Sequence, residues 1–436
     1  MKFNSLVYSY IFRALIVGIN FILVPLTIEF LGKENYGLWV TILSIVGWFS
    51  LADFGCFNSI RNYITKGFYD NNSNLDAIVR IAFIRVFKVS IIIFIIMILF
   101  LLFFREKSPF RSEEVNIGFL TIFFLLSNLP FSISINILHS ISQTRLVYFI
   151  QLLSALLFYV LILVTKYVVH ENNIYFISLY YGVCLYFISF VSWVFLINKF
   201  GFKNPLLFFY ENNNPNLFRV NGFHGAAFSL FVIQLSLLVI LNTDNIIVAK
   251  LFSLSMVSEY YAYDKLYYIY NLIFTIVLTP IWACVNSLIS KSDDNNELKR
   301  LVNKLLKFFG FSFLLVISIY QFSSEMLEMW TKIKFELIED NRVNFSFALF
   351  SVLLAWNGIF STIMNGIGKI RSQLYCYLFA ALLNIPLSIY FSNGLSLGVS
   401  GVKFASALCI LPSAIILPFQ VYRFLCHEKN VIKRNS

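Results

Sequence analysis

The sequence predicts an all-α polytopic membrane protein: about twelve transmembrane helices in two pseudo-symmetric six-helix bundles around a central cavity. Three observations predict it. Hydrophobic residues make up 59% of the 436 and charged residues only 13%, with a mean hydropathy of +0.78. That is too little charge to cover a soluble domain of this size. Apolar runs such as 89–104, 147–164 and 174–197 approach or exceed the ~20 residues that cross a ~30 Å hydrocarbon core. Finally, short motifs recur at a half-chain spacing.

The expected spans are 7–30, 37–60, 84–104, 115–138, 146–168, 174–198, 217–250, 257–289, 305–325, 343–366, 372–392 and 398–422. They group into an N-terminal bundle at 1–200, a cytoplasmic linker at 201–216 and a C-terminal bundle at 217–436 with a short cytoplasmic tail. Met1 and Lys2 precede a long apolar stretch with no small-residue cleavage site, which predicts an uncleaved first span. The linker (KNPLLFFYENNNPN over 203–216) suits either a short interfacial helix and turn or a plain loop.

Alternating the spans places 21 of the 33 Lys and Arg on the side of both termini and nine on the other. Arg13, Lys265 and Lys403 fall inside spans. By the excess of basic residues in cytoplasmic loops, both termini are expected in the cytoplasm. The formal charge of +11 is thereby read as orientation, not nucleic-acid binding.

The repeat is carried by two pairs of motifs. HSISQTR at 139–145 closes span 4, and NGIGKIR at 365–371 closes span 10, 226 positions on. YGLW at 36–39 and YYAY at 260–263 lie near the starts of spans 2 and 8, 224 positions apart. Near-equal offsets six helices apart imply parallel duplicated halves, common among secondary transporters.

Catalytic signatures are missing. There is no GxxxxGK[ST] loop, HExxH or GxSxG, so the expectation is a transporter that is not an enzyme. The six cysteines form no CxxC pair and have no metal-ligand spacing with histidine, so no cofactor or metal is expected. Coupling to an H+ or Na+ gradient, or to the membrane potential, is left open.

Ionisable residues inside spans are costly and normally face a cavity or a partner. Arg13 and Asp53 lie at similar depth from the cytoplasmic ends of spans 1 and 2. Asp244 in span 7 and Asp264 and Lys265 in span 8 are expected to meet in the same way. Arg13, Asp53 and Lys265 are candidate substrate-binding residues, against a reading in which the charges are structural ion pairs. Asn128, Ser132, Asn136 and His139, and then Asn357, Ser361 and Asn365, recur at helical spacing. Asn128, Asn136, Asn357 and Asn365 are candidate ligands for sugar hydroxyls, against a role as interhelical glue. Asp244, Asp264, His139 and His224 are candidate coupling residues, since imidazole titrates near neutrality. Pro25, Pro130, Pro280, Pro386 and Pro412 fall within spans and predict kinks.

The run FLGKENYGLW at 30–39 after Pro25, DFG at 53–55 before Arg61, DNIIV at 244–248 before Tyr260, and GIGK at 366–369 together resemble the Wzx-type polysaccharide flippases. Those belong to the multidrug/oligosaccharidyl-lipid/polysaccharide exporter superfamily. The resemblance covers essentially the full chain. It implies two six-helix lobes, alternating access and export of undecaprenyl-pyrophosphate-linked repeat units, typically O-antigen, across the bacterial inner membrane. The implied partners are a lipid-linked oligosaccharide, the membrane and the polysaccharide polymerase machinery. On that reading Arg13 replaces the hydration of the pyrophosphate, and Arg suits phosphate better than Lys because its donors are bidentate. A peptidoglycan-precursor flippase or a multidrug exporter of the same superfamily are the alternatives. More distant is a membrane-embedded oligosaccharide polymerase, disfavoured by the short external segments.

Overall fold

A computed structural model describes residues 3–51, 64, 75–104, 112–169, 173–205, 207, 226–291 and 296–427. The chain divides into two compact units, 1–222 and 223–436. Among the described residues every regular element is helical.

The first unit begins with α1 (Phe3–Phe49), two helices joined at Gly32, whose φ of +77° breaks the helical path. A residue with a Cβ would be strained there. Next come α2 (Leu75–Phe104), α3 (Ser112–Asn128), α4 (Ile133–Ser140), α5 (Thr144–Val164) and α6 (Ile174–Phe200). The second unit holds α7 (Ala226–Leu251), α8 (Leu254–Leu278), α9 (Ile281–Lys291), α10 (Asn296–Gln321), α11 (Ser323–Thr331), α12 (Asn341–Ile367), α13 (Arg371–Ile389) and α14 (Val399–His427). Nine of the described helices are long and apolar enough to cross a membrane, and α3 with α4 makes a tenth span bent by 44°. Because α1 is two helices, it accounts for spans 1 and 2. Span 8 is α8 with α9; α8 is less apolar because it carries Glu259, Asp264 and Lys265.

Two of the five expected proline kinks are helix breaks. The chain bends by 44° at Pro130 between α3 and α4, and the helix is interrupted at Pro280 between α8 and α9. A proline has no N–H to give and clashes with the preceding turn. The Phe131 carbonyl at the first break accepts a hydrogen bond from Trp193 Nε1 at 2.9 Å. Pro25, Pro386 and Pro412 instead lie within continuous helices.

Each unit is built on the same plan. In the first, α1 packs on α5, α3 on α6, α5 on α6, and α1 on α3. In the second, α7 packs on α13, α12 on α14, α13 on α14, and α8 on α12. These are the same pairs six spans on. Details repeat too: α5 ends in a π-helical turn at Thr165–Val169 and α13 in one at Tyr390–Gly394. Ser142 and Gly368, 226 positions apart, both adopt left-handed backbone, with φ of +62° and +84°.

Glycine sets two close approaches in the second unit. A Cβ on Gly366 would stand 2.7 Å from Val285 Cβ, where α12 meets α9. A Cβ on Gly401 would stand 2.7 Å from the backbone of Phe391 and Ser392. Without that contact α14 could not start against the π-turn, and Lys403, two residues later, would be displaced.

Candidate functional site

The second unit contains a buried charge cluster. Asp244 on α7 is 1% exposed and Lys403 on α14 is 2% exposed, with Nζ 3.0 Å from Asp244 Oδ2. The same Nζ lies 3.1 Å from Asp264 Oδ1 on α8, whose side chain is 41% exposed. Tyr260 donates its hydroxyl to Asp244 Oδ2 at 2.8 Å, and Ser406 donates to Asp244 Oδ1 at 2.9 Å. Asn384 on α13 donates to Ser406 Oγ at 2.8 Å and accepts from Thr243 at 3.0 Å. Four helices are thus joined by one polar network, as burying two charges in a low-dielectric interior requires. The ammonium also lies 4.5 Å from the Phe350 ring centre, 4.8 Å from Phe347 and 5.1 Å from Tyr260. Aromatic faces partly replace its lost hydration.

The face of α8 beside this cluster is a ladder of tyrosines at helical spacing. Tyr260, Tyr263, Tyr267 and Tyr270 are all buried, and the first three pack on Phe347 of α12 with centroids 4.8, 5.6 and 6.2 Å away. Tyr267 donates to Asn344, which donates in turn to the Tyr320 carbonyl at 2.8 Å. Tyr270 shares a hydrogen bond with Ser312 at 3.0 Å. Near the end of α8 that starts at Leu254, buried Glu259 accepts the backbone N–H of Leu337 at 3.0 Å.

Asp244 and Asp264 do meet, across the Lys403 ammonium, and Lys265 beside them also interacts electrostatically with Asp264. Lys265 lies over the rings of Tyr261 and Tyr268, 4.7 and 5.3 Å from their centres, while Lys403 bridges the carboxylates. The physical reason is helical phase: Lys265 is 100° around α8 from Asp264. Lys403 was visible in the sequence as one of three cations inside spans, but nothing in linear spacing links it to residues 139 and 159 positions earlier.

In the first unit, the part of α1 before Gly32 runs parallel to α5. Arg145 stacks over the Tyr8 ring at 4.3 Å, Phe12 meets Phe149 at 5.5 Å, and Lys166 pairs with Glu29 at 2.7 Å. Arg13, half-buried on α1, has no ion-pair partner among the described residues. Asp53 and His224 lie outside the described residues, so the expected Arg13–Asp53 meeting does too. His139 is half-buried and lies edge-on to Tyr148, with ring centres 6.1 Å apart.

The two asparagine stripes are not continuous open walls. The first crosses the 44° bend, which puts Asn128 on α3 and Asn136 on α4. Asn128 is buried with no hydrogen-bond partner for Oδ1, and the backbone carbonyl of half-buried Asn136 accepts the Ser140 hydroxyl at 2.7 Å. Asn357 is fully buried and donates to Tyr377 on α13 at 2.8 Å, which makes it a tie between helices. Asn365 is half-buried with Oδ1 unpartnered.

Helices in this order, paired in this way in each half, have the fold seen in two solved membrane transporters. A solved inward-facing multidrug resistance MATE transporter of the MOP superfamily superposes over 96% of this chain and 95% of its own, with a TM-score of 0.68 and 15% identity. The lipid II flippase MurJ, in an inward closed conformation, matches 97% of this chain and 88% of its own, with a TM-score of 0.67 and 15% identity.

Sequence similarity adds two curated relatives. The chain is 26% identical over 284 residues to a Salmonella typhi protein named "Putative O-antigen transporter", an alignment spanning 63% of this chain and 62% of the relative. It is 37% identical over 109 residues to a Yersinia pseudotuberculosis protein named "Putative O-antigen export protein", spanning 24% and 23%. Both alignments cover less than two thirds of the relative's length. No protein-family profile matches the chain.

Proposed function

We propose that this chain is a Wzx-type flippase, moving undecaprenyl-pyrophosphate-linked O-antigen or related oligosaccharide repeat units across the bacterial inner membrane by alternating access. The observation that carries the proposal is the 284-residue similarity to a protein named for O-antigen transport, in a chain with a full-length exporter fold. Both termini are assigned to the cytoplasm, on the charge bias of the loops.

Arg13 supports the reading chemically. A diphosphate cannot enter hydrocarbon without replacing its hydration and counterions. A guanidinium in the apolar first helix, with no ion-pair partner among the described residues, has donors available for that exchange. The lipid-linked oligosaccharide is the proposed cargo, and polymerase machinery acting on the exported unit is the proposed neighbour in the membrane.

The second reading is a peptidoglycan-precursor flippase, favoured by the superposition on a lipid II flippase. Complementation separates the two. Expression in strains lacking an O-antigen flippase, each making a chemically different repeat unit, is expected to restore surface polysaccharide in at least one. Failure in all of them, with rescue of a strain depleted of its lipid II flippase, would replace the first reading with the second.

A further inference from the structure

We propose that the first half of α10 is a binding surface for anionic phospholipid headgroups of the cytoplasmic leaflet, held by Arg300, Lys304 and Lys307. The proposal rests on α10 crossing the membrane and not on the identity of the cargo.

Helical phase is the first argument. At about 100° per residue, Arg300, Lys304, Lys307, Phe311 and Leu314 fall within about 40° of one line along α10. All three cations are exposed, and farther along the same line Phe311 and Leu314 are 74% and 60% exposed. The opposite side, with Leu298, Val302, Leu305 and Phe309, is buried, and α10 packs on α12 and α8. A run of exposed apolar side chains on a membrane span belongs against acyl chains. The cations that continue this run therefore emerge where acyl chains give way to headgroups.

Length is the second argument. The apolar part of α10, Phe308 to Gln321, has 14 residues, which rise only ~21 Å against a hydrocarbon core of ~30 Å. Its far end has no room to extend, because exposed Glu325 and Glu328 follow directly on α11. The missing ~9 Å is supplied by nearly two turns before Phe308, which carry Lys304 and Lys307. Their stems then run along acyl chains and lift the ammonium groups to the phosphate level.

Charge balance is the third. Arg300, Lys304 and Lys307 have no ion-pair or ring partner among the described residues. Other cations on the side of the termini do: Arg145 lies over Tyr8, Lys199 over Phe195 and Lys369 over Phe424. The acids nearby in the chain, Asp293, Asp294 and Glu297, all precede the stripe, and Glu297 lies in the first turn of α10, away from the hydrocarbon. Three cations without a counter-charge at phosphate depth complement a leaflet rich in anionic lipid, whose surface favours each Lys or Arg about five-fold. Binding there fixes how deep α10 sits. Ser312 on its buried face shares a hydrogen bond with Tyr270 of α8, so the lipid also holds the tyrosine ladder at its depth.

Native mass spectrometry of the delipidated protein tests this, with phosphatidylglycerol and phosphatidylcholine of identical chains offered in equal amounts. Wild type is expected to retain phosphatidylglycerol in preference. Combining Arg300→Gln, Lys304→Gln and Lys307→Gln should cut that preference at least ~10-fold. Lys299 is the control, because it carries the same charge but lies about 100° around the helix from Arg300. Lys299→Gln should therefore change the preference less than Lys307→Gln does. Equal retention of both lipids by wild type, an unaltered preference in the triple variant, or equal effects of Lys299→Gln and Lys307→Gln would overturn the proposal. Displacement of phosphatidylglycerol by undecaprenyl phosphate at a small fraction of its concentration would overturn it too, by assigning the stripe to the cargo. If the triple variant fails to fold by thermal melting, the three single variants decide, each expected to lower the preference. Failure of O-antigen complementation would move none of these results.

Discussion

Lys403 Nζ lies 3.0 Å from Asp244 Oδ2, with both side chains almost wholly withdrawn from solvent. A buried ion pair contributes little net stability against an apolar substitute of the same shape, but removing one partner strands the other. Lys403→Ala is therefore expected to lower stability by about 3–5 kcal/mol, leaving the buried Asp244 carboxylate without its cation. Lys403→Met combined with Asp244→Asn keeps volume and removes both charges, and should recover much of that loss. Thermal melting of the purified proteins at matched detergent checks this. Equal melting of Lys403→Ala and wild type would mean that the cluster does not bear on stability.

The turns at Ser142 and Gly368 give a second prediction. Both residues have positive φ, where an L side chain costs about 1–2 kcal/mol. Gly368→Val is expected to destabilise by at least that amount. At Ser142 a branched side chain should cost more than glycine, so Ser142→Val should melt below Ser142→Gly. An identical pair of melting temperatures at Ser142 would show that the turn does not hold this conformation.

The architecture was legible because its causes are local or periodic. Apolar length marked the spans, and the offset of 226 between the two HSISQTR-like and NGIGKIR-like motifs marked the duplication, which the structure resolves into one turn made twice. Among the five prolines, Pro130 and Pro280 coincide with interruptions of a helix, where the missing N–H breaks the ladder. The candidate site was less legible. Asp244 and Asp264 stood out as intramembrane acids, but the cation that bridges them comes from α14, while Lys265, nearer in sequence, interacts with Asp264 without bridging the two. Side chains brought together from distant spans leave no trace in spacing. Asn357 likewise has the spacing of an open polar stripe, and only packing shows that Tyr377 claims its amide.

Topology supplies a third prediction. The segment carrying Lys299, Arg300, Lys304 and Lys307 is assigned to the cytoplasm, and the α11–α12 connection to the outside, by the excess of basic residues on the side of the termini. Those four residues lie in the first half of α10, whose remainder to Gln321 is the one crossing expected between Asn295 and Glu339. Reporter fusions after Asn295 and after Glu339 should report opposite sides. The same side for both would remove α10 from the membrane and with it the twelve-span count.

The last prediction concerns Arg13, which sits in an apolar helix with no ion-pair partner among the described residues. A bare guanidinium at that depth is costly to keep, so either substrate or a structural anion accounts for it. If it binds the diphosphate, Arg13→Ala should abolish surface polysaccharide at unchanged protein level. Arg13→Lys should restore only part of it, because a single ammonium cannot reproduce two parallel N–H donors. If Arg13 is instead held by Asp53, removing both charges should recover what removing one destroys. The double variant Arg13→Ala with Asp53→Ala, compared with each single variant, therefore separates the roles. Full export by the double variant assigns Arg13 to architecture; loss of export as complete as in Arg13→Ala alone assigns it to the substrate.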